Sequence, residues 1–347
     1  MMGLKSRLRP RTRFRQMRSR LHDQFQARRE HLQQWLLLQF PHWSVQVKDP
    51  AFKGLFDHST KLTQVATGFQ FTEGPIWRSE QQCLLFSDIP ADQIWQLDTN
   101  QQVQILRQPS HHANGLTLDA QGRLIACEHG TRQVTRTEMD GTITVLARKF
   151  QGKLLNSPND VVVKSDGSIY FTDPPYGIAP EQQEQPYQGV YRIDSQTGAL
   201  TLAIADFQAP NGLVFSPDEQ RLYISDSSEA RQHVRVFDVK PDGSLTGGAV
   251  FCEMKVDRTG VPDGMTCDRQ GNLFFTAAGG VWVFSATGKH LGTIRIPEIP
   301  TNCTWGGDHY RSLYITAGHS VYRIDGTDRT GAYSVKQSPL IRLAQQS

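Results

Sequence analysis

Apolar stretches of strand length alternate with polar turns along most of this chain, and the alternation repeats. Six segments open on a short polar turn, run into an apolar stretch, turn again and enter a second apolar stretch. They open at Glu73 (EGPIWRSEQQCLLFSD), Asn114 (NGLTLDAQGRLIAC), Asn159 (NDVVVKSDGSIYFTD), Asn211 (NGLVFSPDEQRLYISD), Asp263 (DGMTCDRQGNLFFTA) and Asn302 (NCTWGGDHYRSLYITA). Successive openings are 41, 45, 52, 52 and 39 residues apart. Strands are predicted at Asp160–Val163 and Ile169–Thr172, and again at Gly212–Phe215 and Leu222–Ser225. The intervening turns DAQGR, KSDGS, SPDEQR and DRQGN supply the Asp and Gly that hairpins require. Outer strands follow at Gly189–Ile193, Val234–Asp238, Gly280–Phe284 and Ser320–Ile324, where apolar and polar residues alternate as in half-buried sheet. Glu181–Gln188 reads as a loop between two strands, near the mouth of a channel. Several strands per repeat at this period predict propeller blades.

The expected fold is therefore all-β: a six-bladed β-propeller over residues 51–347, preceded by a basic, helical N-terminal extension over residues 1–50. Six repeats of about 45–50 residues occupy roughly 270–300 residues, which leaves the extension outside the repeat. Residues 46–72 are read as the lead into the first blade. No apolar run approaches the length of a membrane span.

Charge separates the two parts. Residues 1–31 hold ten Lys/Arg and two Asp/Glu, a balance of +8; the whole chain is +3, so the remainder is −5. A mildly acidic domain argues against nucleic-acid binding. The Arg-rich extension could make weak contact with an anionic membrane surface or act as an organellar targeting segment. The plainer reading is a solvated extension whose Leu32, Trp35, Leu36 and Phe40 pack on the propeller. Cys83, Cys127, Cys252, Cys267 and Cys303 are dispersed with no CxxC spacing, which argues for buried, reduced thiols rather than disulfides or a zinc ribbon. A cytoplasmic monomer or dimer is expected.

The repeat openings carry the chemistry. Equivalent positions of six blades point at one axis, and here each bears a side-chain oxygen. Glu73 and Asp263 bring two negative charges, Asn159 and Asn211 neutral carbonyl oxygens. Oxygen donors with two carboxylates favour Ca²⁺, with Mg²⁺ or Mn²⁺ next and Zn²⁺ less suited. At any single copy, Asn, Asp and Gly could be turn formers alone; six copies in register argue for a shared site.

The segments EGPIW, LNSPNDVVV, YFTDPPYG, PNGLVFSPD, LYISDS and PDGMTCDRQGNL resemble the family of gluconolactonase, regucalcin and the luciferin-regenerating enzyme, with the bacterial gluconolactonase branch nearest. The resemblance covers roughly residues 60–330. It implies a six-bladed propeller with one divalent cation in the central channel, held by Glu73, Asn159, Asn211 and Asp263. Regucalcin-type members carry an Arg two residues before the Asn that corresponds to Asn159; this chain has Ser157 there, so sugar recognition must use other groups.

The implied reaction is hydrolysis of a small-molecule lactone, with glucono-1,5-lactone the leading substrate. A bound cation would polarise the carbonyl and an aspartate would activate water. Asp263 is the first candidate for that base, doubling as a ligand. Asp226 is the second, with a structural turn aspartate as the competing reading. Asn114, His129 and Tyr176 are candidate substrate contacts, against a surface turn histidine for His129 and simple packing for Tyr176. Two other functions fit the scaffold: an organophosphate or other ester hydrolase, and a non-catalytic binding propeller with a structural cation.

Overall fold

The computed structural model describes residues 44–56, 60–256 and 258–325. Residues 1–43 of the basic extension, with their helical reading and the packing role of Leu32, Trp35, Leu36 and Phe40, lie outside the described residues. Among the described residues no helix is long and apolar enough to cross a membrane.

Six antiparallel sheets account for the six repeats. The first blade runs Thr72–Arg78, Cys83–Asp88, Gln93–Asp98 and Val103–Arg107; the second runs Ala113–Leu118, Leu124–Glu128, Gln133–Thr137 and Ile143–Ala147. The third and fourth each have four strands, beginning at Val161–Val163 and Pro210–Phe215. A two-stranded ribbon, Lys149–Phe150 with Lys153–Leu154, sits between the second and third.

The last two blades recruit strands from the N-terminal side. The sixth takes Pro300–Gly306, Ser312–Ala317 and Ser320–Asp325 from its own repeat and borrows Leu62–Thr67 as its fourth strand. Leu62 pairs with Ile324 and Thr67 with Ser320. The fifth blade gains a fifth strand, Ser44–Val47, paired with His290–Arg295. Residues 46–72 are thus not only a lead into the first blade, and the boundary read at residue 50 falls after this strand. The sequence could not reveal either pairing, because both partners lie far along the chain.

The turns between the first two strands form as their Asp/Gly chemistry dictates. In the second blade, Asp119 Oδ1 accepts from Gln121 N at 3.0 Å and Arg123 N at 2.9 Å, and Gly122 takes φ +74°. A short polar side chain supplies the turn's acceptor and glycine supplies the left-handed residue.

The core lies between blades. The second strand of the first blade, CLLFSD, is buried at every position, because neighbouring blades cover both faces. The outermost strand of that blade, Val103–Arg107, is mostly exposed. Val161, Phe171 and Tyr191 pack against Ile125 and Val134 of the second blade. Val162, Tyr170 and Val190 pack against Leu213, Ile224 and Phe237 of the fourth. Between the fifth and sixth blades Phe274 meets Trp305 edge-on at 5.0 Å, and between the sixth and first Tyr314 stacks on Trp77 at 5.4 Å. Large aromatics at these junctions bury wide apolar area with few rotamers to fix. All five cysteines are free and buried.

Candidate active site

The residues that open the repeats do not sit in turns. Glu73, Asn114, Asn211 and Asn302 lie within the innermost strands, and the ladder to the second strand shifts register between Glu73 and Ile76, Ala113 and Leu116, Pro210 and Leu213, and Pro300 and Asn302. Each shift is a bulge, which frees one residue from the pleat and re-aims its side chain. Asn159 and Asp263 stand just before the innermost strands of their blades.

Neighbouring blades fix these residues through their backbones. On several second strands a hydroxyl reaches the next blade: Ser87 Oγ donates to Asn114 O at 2.7 Å, Thr172 Oγ1 to Asn211 O at 2.8 Å, and Ser225 Oγ to Asp263 O at 2.9 Å. The glycine after the opening residue makes this approach possible. A Cβ at Gly212 would lie 2.3 Å from Asp263 O, and one at Gly115 would lie 2.5 Å from Asn159 O.

The side chains form a chain of contacts across four blades. Asn114 Nδ2 donates to Asn159 Oδ1 at 2.7 Å, and Asn159 Nδ2 donates to Asn211 Oδ1 at 2.7 Å. The Asn211 side chain in turn hydrogen-bonds Asp263. From the other side Asn302 Nδ2 donates to Glu73 Oε2 at 3.3 Å. Glu73, Asn114, Asn159, Asn211 and Asn302 are all buried. Asp263 is partly buried.

Burial pushes the Asp263 carboxyl well above its ordinary value, and the charges of Glu73 and Asp160 push it further. The Asn211 side chain and the Gly264 N–H pull the other way and do not compensate. A carboxyl whose proton affinity is raised by a neighbouring carboxylate, beside two amide oxygens, suits a divalent cation. Among the described residues no group of three or more His, Cys, Asp and Glu side chains is placed to hold a metal. A cation here must therefore draw on the asparagine oxygens, as hard cations do.

The other sequence candidates divide. His129 is buried, and its Nε2 is 3.5 Å from Asn114 Nδ2. Burial pushes the His129 imidazole down to about 4, with nearby His112 adding to this and Asn159 opposing it, so the ring is neutral near pH 7. Tyr176 has a split environment: the residue as a whole is 47% exposed, while its hydroxyl end lies against Ser227 and Asn211. Burial of that end, then the charges of Asp263 and Asp226, raises the phenol well above its ordinary value. The loop that carries Tyr176 is anchored at Gly177, whose N–H donates to Ser157 Oγ at 3.0 Å. Ser157 therefore holds a loop rather than facing a ligand.

Asp226 has a structural occupation. Its carboxylate accepts from Gln208 N at 3.0 Å, Ala209 N at 3.1 Å and Ser228 N at 3.1 Å, with Arg231 Nη1 at 3.3 Å. Burial opposes ionisation, but these donors outweigh it and hold the carboxyl below its ordinary value. Asp88 does the same for Gln70 N and Phe71 N, and Asp173 for Asn156 N and Ser157 N. Each Asp follows the hydroxyl that reaches the next blade, in Ser87-Asp88, Thr172-Asp173 and Ser225-Asp226. The recurrence of this dipeptide in three repeats was the available signal that Asp226 belongs to the scaffold.

The SMP-30/Gluconolactonase/LRE-like region model matches residues 71–319. A gluconolactonase from Zymomonas mobilis is 34% identical, with 79% of this chain and 84% of its own covered. A pentonolactonase from Haloferax volcanii is 27% identical, with 73% of this chain and 83% of its own covered. The structure of a gluconolactonase from Xanthomonas campestris matches with a TM-score of 0.76 at 34% identity, over 82% of this chain and 94% of that one. Six blades, a buried cluster of acid and amide side chains and these matches lead to one assignment: the chain belongs to the SMP-30/gluconolactonase/LRE-like family.

Proposed function

We propose that this protein hydrolyses lactones, with a sugar lactone such as glucono-1,5-lactone as substrate, in a reaction that depends on a divalent cation. The observation that carries the reading is the contact chain Asn114–Asn159–Asn211–Asp263 with Glu73 acting on Asp263, in a family whose relatives include a gluconolactonase and a pentonolactonase. Glu73, Asn159, Asn211 and Asp263 would hold the cation, Ca²⁺ by their oxygen chemistry. When bound, it would supply Lewis acidity to the lactone carbonyl and to the charge that develops there.

Of the two acidic residues of the cluster Asp263 is the less buried, so it is assigned the proton of the attacking water. Shared with a cation, its basicity falls, which suits a strained, activated ester and not an amide. Asn114 and neutral His129 would orient substrate hydroxyls from one side. The Tyr176 hydroxyl would do so from the channel mouth, over Asn211. Asp226 is left out of the chemistry, since backbone donors occupy its carboxylate.

The test is hydrolysis of glucono-1,5-lactone and a panel of small lactones, with chelator and after restoring Ca²⁺, Mg²⁺, Mn²⁺ or Zn²⁺. Chelator-sensitive turnover of at least one sugar lactone is expected. Chelator-resistant hydrolysis would overturn the cation's role; no turnover of any lactone would overturn the reaction.

A further inference from the structure

Asn302 opens the sixth repeat but falls outside the four-residue ligand pattern. It is buried, and both ends of its amide are engaged. Its Oδ1 accepts from Cys303 N at 2.8 Å, which fixes which way the amide faces. Its Nδ2 then donates to Glu73 Oε2 at 3.3 Å, across the junction between the sixth and first blades. The same Glu73 oxygen accepts from Gly74 N at 2.7 Å.

Room for Asn302 is made by the fifth blade. A Cβ on Gly264 would fall 2.0 Å from Asn302 Cγ and 2.1 Å from Oδ1. Gly264 in turn donates its N–H to Thr301 O at 2.8 Å, so the strand carrying Asn302 is tied to the residue after Asp263. Asn302 therefore packs against the glycine that follows one carboxylate of the cluster while hydrogen-bonding the other.

We propose that Asn302 is a positioning residue for Glu73. It fixes one carboxylate oxygen so that the Glu73 charge is set against Asp263 at the distance a divalent cation requires. The inference rests on the cation site proposed above. Asn302 is not a ligand in this account: it turns its N–H, not its oxygen, toward Glu73. A charged acceptor held by two N–H donors is also strongly oriented, since hydrogen bonds to ionised groups are about twice as strong as neutral ones.

The test measures cation affinity by titration calorimetry with Ca²⁺ on wild type, Asp263→Ala, Asn302→Ala and Asn302→Asp. Thermal unfolding in chelator is run alongside. Asn302→Asp keeps the oxygen that Cys303 uses and the packing over Gly264, and exchanges the donor to Glu73 for a charged acceptor that repels it, so it disturbs Glu73 without the cavity that the alanine variant leaves. The expected result is a Kd raised tenfold or more in a folded Asn302 variant, with KM and kcat for the lactone worsening in step with cation occupancy and recovering at saturating Ca²⁺. Wild-type affinity in a folded Asn302 variant would overturn the positioning role, as would tighter binding by Asn302→Asp. If wild type itself bound no divalent cation, the cation reading and this inference would fall together.

Discussion

Gly212→Ala tests how the blades set the axis. Gly212 is not in the left-handed region, so an alanine could keep its backbone angles. On that ground alone the change would stabilise by about 0.4–1 kcal/mol, through the unfolded chain. Space reverses the sign. The new Cβ would meet Asp263 O at 2.3 Å, Gly264 Cα at 2.7 Å and Asp263 C at 3.1 Å. All three are backbone atoms of the fifth blade, so no side chain can swing aside. Reaching even 3.0 Å from Asp263 O requires the blades to part by about 0.7 Å. Ser225 Oγ holds that same carbonyl at 2.9 Å and resists the movement. Overpacking of this kind costs about 1–3 kcal/mol, leaving a net loss of about 1.3 kcal/mol at the midpoints, within roughly 0–2.6 kcal/mol, once the backbone gain is subtracted. At about 2–4 °C per kcal/mol for a larger domain, that midpoint loss should lower Tm by about 3–5 °C. Activity should fall further than stability, because the displaced atoms carry Asp263; a misplacement near 1 Å can cost about 10²-fold. The assay is a thermal melt with lactone kinetics on the folded protein, and Gly54→Ala, where nothing lies within 4 Å, is the control. Unchanged Tm and unchanged kcat in Gly212→Ala would refute the reasoning.

Four further outcomes are expected. Glu73→Ala and Asp263→Ala should each abolish cation-dependent lactone hydrolysis while remaining folded in chelator; near-wild-type turnover by Asp263→Ala would remove both its ligand and its base role. Asp226→Asn should cost about 1–3 kcal/mol, because an amide NH₂ cannot satisfy all the buried donors, yet should keep kcat within a few-fold; a large kcat loss at unchanged Tm would return Asp226 to the chemistry. Burial pushes Asp173 up to about 7 against its two backbone donors; its stabilising contribution is therefore full below its unfolded value of about 4 and fades as pH rises through about 7, so the stability difference between wild type and Asp173→Asn should slope between those limits, and a flat difference would refute the shift. Deleting residues 1–43 should leave a folded, active propeller, whereas deleting 1–48 should lower Tm by removing the strand Ser44–Val47; equal melting of the two would make that strand dispensable.

What the sequence disclosed was what repeats locally. The openings from Glu73 to Asn302 were legible because the same chemistry recurs in register, and the hairpin strands because Asp and Gly mark the turns between them. The bulges were not legible: a polar residue followed by Gly looks like a turn, and only the shifted pairing of Glu73 or Asn114 shows that it lies within a strand. Glycines 115 and 212 likewise read as turn formers, although their need is space against the next blade. Asp226 was ambiguous as long as it was considered singly, since burial and donors are three-dimensional facts. His129 was ambiguous in the opposite sense. A histidine after a strand suggests a surface turn, but the fold buries it beside Asn114.

The borrowed strand of the sixth blade has a consequence for how the protein is made. Thr67 and Ser320, joined through their hydroxyls in the finished sheet, are 253 residues apart in the chain. At about 5–20 residues per second, a ribosome needs roughly 10–50 s to synthesise that interval. Throughout it, Leu62–Thr67 has emerged without its partner, long after the strands of the first blades could have paired. A waiting strand is a template for the wrong partner. The segment LTQVAT is suited to the delay: most of its positions remain at least partly exposed even in the folded sheet, and Val65 is its one buried residue. Closing the ring last, with a strand polar enough to wait in water, makes the circle of blades depend on the whole chain having been delivered.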